Sequence, residues 1–414
     1  MLGRHDENDS SGVTETGRDI TPEQTTWANA HRRIALGYVF FFAGIAAFTP
    51  FAAIYYRGLG FTGLQVGVLA AMPAVGLILF DAVTGAYADT HGAHRALLRA
   101  SLGAGALLAF VASRFDSLPG LFTSITLLSF AVIPLRSLLD YFALLVGQHT
   151  NRHFGMIRVW GAAGYVSFVL TLGRLMSAKV TSIFLVAYAI SLALTLLATW
   201  GLPATTPRPS HSLWASIGQV LKNAPFALLL VVAFAQAIAA SLVVVSLGVH
   251  ITKLGGTTGQ VAAAFAIAAV SEIPFFLAGA KLMRRFGALR MLLGIVAIYT
   301  IRMFLLGFNP SPVGVIWLQI LHGATFGAFL GVAVPTSRAI AGQRFPATAQ
   351  AVLTMTSFGF GNLAGSLLGG ALLDVMTTGQ MYLASGVLMG VTLVIFGLGC
   401  TRPGIRAAFA AVGL

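Results

Sequence analysis

Twelve apolar runs of about twenty residues, separated by polar or Gly/Pro breaks, occupy approximately 33–56, 64–88, 95–114, 118–147, 155–175, 180–202, 225–252, 258–284, 288–308, 312–341, 347–374 and 378–401. At about 1.5 Å of rise per helical residue, each can cross a hydrocarbon core of about 30 Å. The chain is thus expected to be an all-α integral membrane protein with twelve transmembrane helices. Its mean hydropathy of +0.86 and its 9% of charged residues agree, because a soluble chain of 414 residues would carry far more charge.

The polar stretches divide the chain. Residues 1–30, with Asp6, Glu7, Asp9, Glu15, Asp19 and Glu23 among Ser, Thr and Gly, read as a disordered cytoplasmic tail. No basic segment leads into a short apolar core there, so a cleavable signal peptide is not expected. Residues 204–224 form a linker between a first six-helix bundle at 31–203 and a second at 225–402, and 403–414 form a C-terminal tail. An internal repeat supports the division: Gly92-x-x-Arg95 after span two recurs as Gly287-x-x-Arg290 after span eight, 195 positions later. Two parallel six-helix halves are the architecture in which transporters rock around a midplane site.

The net charge of +13 does not point to nucleic acid, because the basic residues are scattered through short loops. They follow topology. Arg32, Arg33, Arg95, Arg99, Arg284, Arg285, Arg338 and Arg402 fall on one side, against Arg57, Arg114, Arg174, Lys179 and Lys253 on the other, which predicts cytoplasmic termini. The expected location is a bacterial inner or plasma membrane. A single cysteine, Cys400, excludes an internal disulfide.

Three apolar runs carry isolated charged or titratable residues: Glu272 in span eight, Arg302 in span nine and His322 in span ten. Glu272 precedes Arg284 by twelve residues and Arg302 follows Arg290 by twelve, so each stands roughly 18 Å above the same basic turn. His322 enters from the opposite side and reaches roughly 15 Å. The three share one depth. An ionised side chain at the bilayer centre costs at least about 2.5 to 3.5 kcal/mol, so such residues usually mark an ion or solute path. One reading is a structural Glu272–Arg302 ion pair with His322 as a packing residue. The other is a proton site, since burial favours a protonated acid and an approaching guanidinium favours the ionised one.

Further polar residues lie in the other spans. Asp81 stands two turns before Asp89, and both can occupy one face of span two. Asp89 reads as a gate or loop-anchoring residue whose basic counterpart is Arg95 or a cytoplasmic helix end of the other half; Asp81, and Arg158 at the opening of span five, are grouped with it. A solvated surface charge is the alternative for the acids. Arg136 and Asp140 in span four are spaced i, i+4, either to neutralise each other or to hold a solute's anionic, hydroxyl or amine group. Trp160 is either a headgroup-level anchor or a platform for a ligand ring. Glycines at 323, 327 and 331 and at 361, 365 and 369 read as faces for close helix packing. Pro274 leaves the carbonyl of Val270 without its helical partner beside Glu272, an opening that would admit water.

These residues resemble the major facilitator superfamily, in particular its proton-symporter branch of lactose permease, nucleoside–proton symporters and phenylpropionate permease. The resemblance rests on the Gly85–Arg95 loop, the Pro134–Asp140 spacing, Phe154–Gly161, Glu272-Ile-Pro-Phe-Phe276, Arg302 and Gln319–Gly327. It implies that Glu272, Arg302 and His322 form the coupling network. Arg136, Asp140, Trp160, Gln319 and Asn362 are the candidate substrate ligands. Two departures stand out: Thr325 replaces the carboxylate that the lactose type carries three residues after its histidine, and Leu330 replaces a second histidine of the phenylpropionate type.

The expectation is a secondary transporter importing a small organic solute with protons, active as a monomer in the lipid bilayer. It needs no metal and no cofactor beyond the proton gradient. No Gly-Lys-Ser/Thr phosphate loop is present to drive it with ATP. Proton-driven efflux by the same fold is the alternative, and an intramembrane enzyme with His322 as general base a more distant one.

Overall fold

Runs of Ala, Leu, Val, Ile and Phe with so few charges form helices that are apolar on most sides. The computed structural model describes residues 22–150, 154–176, 180–207, 214–341 and 346–412. Among these residues every regular element is helical, and ten helices are long and apolar enough to cross a membrane. One of the ten, Thr258–Phe308, is two spans joined at Gly287, where φ is 73° and ψ 157°. Such a φ costs glycine nothing and strains any other residue. With the shorter helix Ile183–Thr199, the spans number twelve.

In chain order spans one to six are Asn29–Gly58, Gly63–His91, His94–Ala112, Leu118–Thr150, Met156–Leu175 and Ile183–Thr199. Span seven is Ala224–Lys253, spans eight and nine share Thr258–Phe308, and the last three are Pro312–Ile340, Thr348–Val375 and Thr378–Gly399. An even number of spans brings both chain ends to one end of the bundle, the near end, and leaves the other as the far end.

The halves repeat in conformation as well as in sequence. Among the described residues, positive φ occurs at Gly60, Gly92, Gly255 and Gly287, two pairs each 195 positions apart. At that same offset Thr62 and Thr257 close capping boxes with Gln65 and Gln260 at the starts of spans two and eight.

Three boundaries differ from expectation. The first helix begins at Pro22, not near residue 31, and Trp27 stacks on His149 at 3.7 Å; the remainder of the expected tail, 1–21, lies outside the described residues, as do Arg152 and His153. The linker contains a helix, Trp214–Leu221. The C-terminal segment is a helix too, Pro403–Ala410, because Phe409 buries fully against Phe396 and Val412 accepts a hydrogen bond from the Ala288 N–H.

The halves meet at the far end and at mid-depth. Span one meets span seven, span two meets span eleven, and span five meets span eight. A methyl group on Gly63 would stand 2.4 Å from the Gly370 carbonyl, and one on Gly173 would stand 2.3 Å from Ala262. Thr258 donates across the halves to the carbonyls of Gly173 and Met176. Near the other end, Ala82–His91 and Ala328–Ile340 pack principally within their own halves. A cleft therefore opens between the halves towards the near end.

Candidate functional site

The acid of span eight is set by two glycines of span ten. The N–H of Gly323 donates to Ser271 Oγ at 2.8 Å, and a methyl group on Gly323 would stand 1.8 Å from the Ser271 carbonyl, so only glycine allows this approach. The neighbours of that contact, Glu272 and His322, are thereby brought together with Oε1 3.2 Å from Nε2. Gly327 makes room for the acid, since its missing side chain would lie 3.2 Å from the Glu272 Cα and Cβ. Glu272 and His322 keep 21% and 22% of their side-chain surfaces exposed, which leaves the pair within reach of the cleft. His322 also stacks on Phe326 at 5.3 Å. The helix runs continuously through Pro274, while span ten takes a π-helical turn at Gly323–Gly327. Turns of that kind frequently accompany functional sites.

Arg302 is not the partner of Glu272. Its guanidinium, 1% exposed, donates to Gln319 Oε1 at 2.7 Å and to Thr325 Oγ1 at 3.4 Å, and it lies 5.9 Å from the Tyr299 ring. The Glu272–Arg302 ion pair of the structural reading is not formed; a neutral cradle inside the second half takes its place. Gln319, expected as a substrate ligand, is likewise buried inside the second half: it is 1% exposed and its amide N–H donates to the Val315 carbonyl. It holds Arg302.

The first half contributes a second cluster. Asp140 accepts a hydrogen bond from the hydroxyl of Tyr38 in span one. The Arg136–Asp140 pairing is not formed; the Arg136 guanidinium instead lies 5.9 Å from the Phe358 ring of span eleven. Arg158 stands over the rings of Phe42 at 4.1 Å and Tyr38 at 5.7 Å. It lies within electrostatic reach of Arg136, Asp140 and, across the cleft, Glu272. Its place is the middle of the protein rather than a loop gate. Trp160, two residues on, is 51% exposed.

Asn362 accepts from Ser241 Oγ at 2.8 Å and lines a recess of the second half with Gln236, Phe326, Phe329 and Phe358. Asp81 accepts from Ser137 Oγ at 3.1 Å, beside Arg136. At the near end the basic partner of Asp89 is His94, at 3.0 Å, rather than Arg95. His94 is 4% exposed, stacks on Tyr141 and bonds Thr205. Arg95 donates to the Leu202 carbonyl at 3.3 Å.

Tyr38, Phe42, Gln236, Ser271 and Phe358 went unnoticed in the sequence. Ser271 had the one available signal, a polar residue beside the embedded acid; the aromatic residues are indistinguishable from the other rings of an apolar span.

The arrangement is an acid–imidazole pair and a guanidinium facing each other from two halves, in a twelve-helix repeat. The sequence matches the MFS_1 like family over residues 31–384. The chain belongs to this family. It is 29% identical to a maltose permease of Geobacillus stearothermophilus over 86% of this chain and 92% of that protein. A putative nucleoside transporter of Escherichia coli, YegT, is 26% identical over 77% of this chain and 78% of its own length. Among solved structures the nucleoside transporter NupG superposes with a TM-score of 0.78 at 18% identity, over 92% of this chain and 99% of NupG. A bacterial homologue of the human lysosomal transporter Spinster gives 0.70 at 13% identity, over 93% and 98% of the two chains. These structures share the major facilitator fold. This MFS_1-like protein is a secondary transporter and not an enzyme, as its relatives are.

Proposed function

We propose that the protein imports a neutral, multiply hydroxylated solute of the saccharide or nucleoside kind together with protons, through a bacterial plasma membrane with both termini cytoplasmic. A maltose permease and a putative nucleoside transporter among its relatives support that solute class. Asp140 with Tyr38, Arg158, Gln236 and Asn362 would supply hydrogen-bond partners for hydroxyl groups, and Phe326 and Phe358 a face for the ring. The monomer contains both halves of the cleft and is the proposed working unit.

The observation that carries proton coupling is the Glu272–His322 contact. An ionised carboxylate accepts from the imidazole N–H, and a protonated acid donates to the imidazole nitrogen, so the pair holds one more proton without breaking its contact. Arg158 belongs to the first half and Glu272 to the second. A guanidinium close by favours the ionised form of a carboxyl group, and its withdrawal favours the protonated one. Rocking of the halves would therefore load the pair when the cleft faces out and unload it when the cleft faces in. Arg302 sits in the same half as Glu272 and would supply a constant field.

The test is uptake of labelled maltose and labelled uridine into proteoliposomes with an alkaline interior. Accumulation of either solute above its external concentration, abolished by a protonophore, is expected. Equal accumulation with and without the gradient would remove proton coupling.

A further inference from the structure

We infer that Asp374 is the latch of the far gate: it caps span two from the opposite half and so sets how readily the far end opens. The first N–H groups of a helix have no intrahelical acceptor. In span two Thr62 Oγ1 takes the Gln65 N–H at 3.2 Å. Asp374, at the end of span eleven, takes the other two: Oδ1 accepts from the Gly63 N–H at 2.7 Å and Oδ2 from the Leu64 N–H at 3.0 Å. Arg57 of span one adds an ion pair at 3.0 Å to the same Oδ1. A carboxylate at a helix N-terminus gains from the helix dipole as well as from the two bonds.

The two helices touch backbone to backbone beneath this contact. A methyl group on Gly67 would stand 2.5 Å from the Ser366 carbonyl, and one on Gly370 would stand 2.5 Å from the Gly63 carbonyl. Opening the far end must separate all of these. The glycine contact is apolar and reforms without direction, whereas the capping bonds specify one register between the halves. At the start of span eight, among the described residues, the contact across the halves is of another kind: Thr258 reaches the carbonyls of Gly173 and Met176 through its own hydroxyl. Among the described residues, the far seal is thus held by charge at span two and by a neutral hydroxyl at span eight. Arg57 contributes less than the helix end, because both members of the ion pair are about a third exposed and exposed pairs are weak. Asp374 touches no coupling residue and acts on transport by positioning spans two and eleven.

This inference rests on alternating access and on cytoplasmic termini, so the experiment contains a control for sidedness. Ser366, 5% exposed behind the seal, is replaced by cysteine in a Cys400→Ala background, and labelling by a membrane-impermeant maleimide is followed in intact cells. Ser117→Cys, exposed at the far end, shows which side the reagent meets; if it labels only in inverted vesicles, the orientation is wrong and the comparison is made there. Adding Asp374→Asn should speed labelling at Ser366→Cys by about tenfold or more, because a charged acceptor for two N–H groups is lost. Arg57→Ala should speed it by no more than about fivefold. Asp374→Glu should return the rate towards the parent, which a generally misfolded protein would not do. Unchanged labelling with Asp374→Asn, or equal acceleration by Arg57→Ala and Asp374→Asn, would overturn the latch.

Discussion

Glu272 Oε1 stands 3.2 Å from His322 Nε2, while Arg302, at the same depth in the adjacent span, donates to Gln319 and Thr325. The acid and the guanidinium that an equal-depth argument pairs are thus separated into two sites. One is open to the cleft and the other is sealed inside the second half. In the proposed cycle the positive charge that moves relative to Glu272 is that of Arg158, which lies within electrostatic reach across the cleft.

That separation ranks two substitutions. Arg158→Gln removes the charge that favours the ionised acid when the cleft faces in, so proton release would require a lower internal proton concentration. Uptake measured against internal pH should move its optimum to higher pH by about one unit, the equivalent of roughly 1.4 kcal/mol. Arg302→Gln, in the same half as the acid, should lower uptake across the whole range with less displacement of the profile. Equal displacement by both would place the moving charge elsewhere.

Gln319 is expected to matter for stability before it matters for affinity. Gln319→Leu leaves the buried Arg302 guanidinium without its shortest acceptor, and hydrogen bonds to charged groups contribute about 1.5 to 3 kcal/mol. The thermal midpoint in detergent should fall while the apparent affinity of the surviving protein is kept. Asn362→Leu, at the recess, should do the reverse.

In the first half Asp140 is coupled to Tyr38 and not to Arg136. A double-mutant cycle of Tyr38→Phe with Asp140→Asn, read from uptake kinetics, should give a coupling of about 1 kcal/mol or more. The cycle of Arg136→Ala with Asp140→Ala should stay below about 0.5 kcal/mol. Reversal of that order would restore the helix pair that the spacing suggests.

Much of the fold was legible because a bilayer imposes length and composition on each span. Gly92 and Gly287 were readable as matching turns, and both do take positive φ. What escaped was anything decided by contact between spans. Depth along a helix is set by residue count, so Glu272, Arg302 and His322 could be placed level with one another. Azimuth is set by packing, and it turned Arg302 inward. The i, i+4 rule placed Arg136 beside Asp140 but could not show that Tyr38, more than ninety residues earlier, would reach the carboxylate first. Glycines 323 and 327 read as a packing face, yet their lack of side chains is what admits Ser271 and Glu272. The segments Pro403–Ala410 and Trp214–Leu221 read as tail and linker because composition does not report a short helix docked by one or two apolar side chains, Phe409 on Phe396 in one and Val220 against Phe226 and Ala349 in the other.

The glycine face separates cleanly by position. Gly323→Ala puts a methyl group 1.8 Å from the Ser271 carbonyl, whereas the nearest atom at Gly331 is 4.0 Å away. Overpacking costs typically about 1 to 3 kcal/mol. Gly323→Ala should lower thermal stability by that amount and disturb coupling, because it drives Glu272 and His322 apart; Gly331→Ala should do neither. If the two behave alike, spans eight and ten are not in the contact described.

The central claim is that Glu272, held by His322, carries the coupled proton. The most direct measurement follows external pH in lightly buffered proteoliposomes when maltose or uridine is added, with labelled solute recorded in parallel. The wild-type protein should make the medium more alkaline as solute enters, and Glu272→Gln should exchange labelled solute across the membrane with no movement of protons. Proton uptake by Glu272→Gln equal to that of the wild type, or solute entry without proton movement in both, would contradict the account.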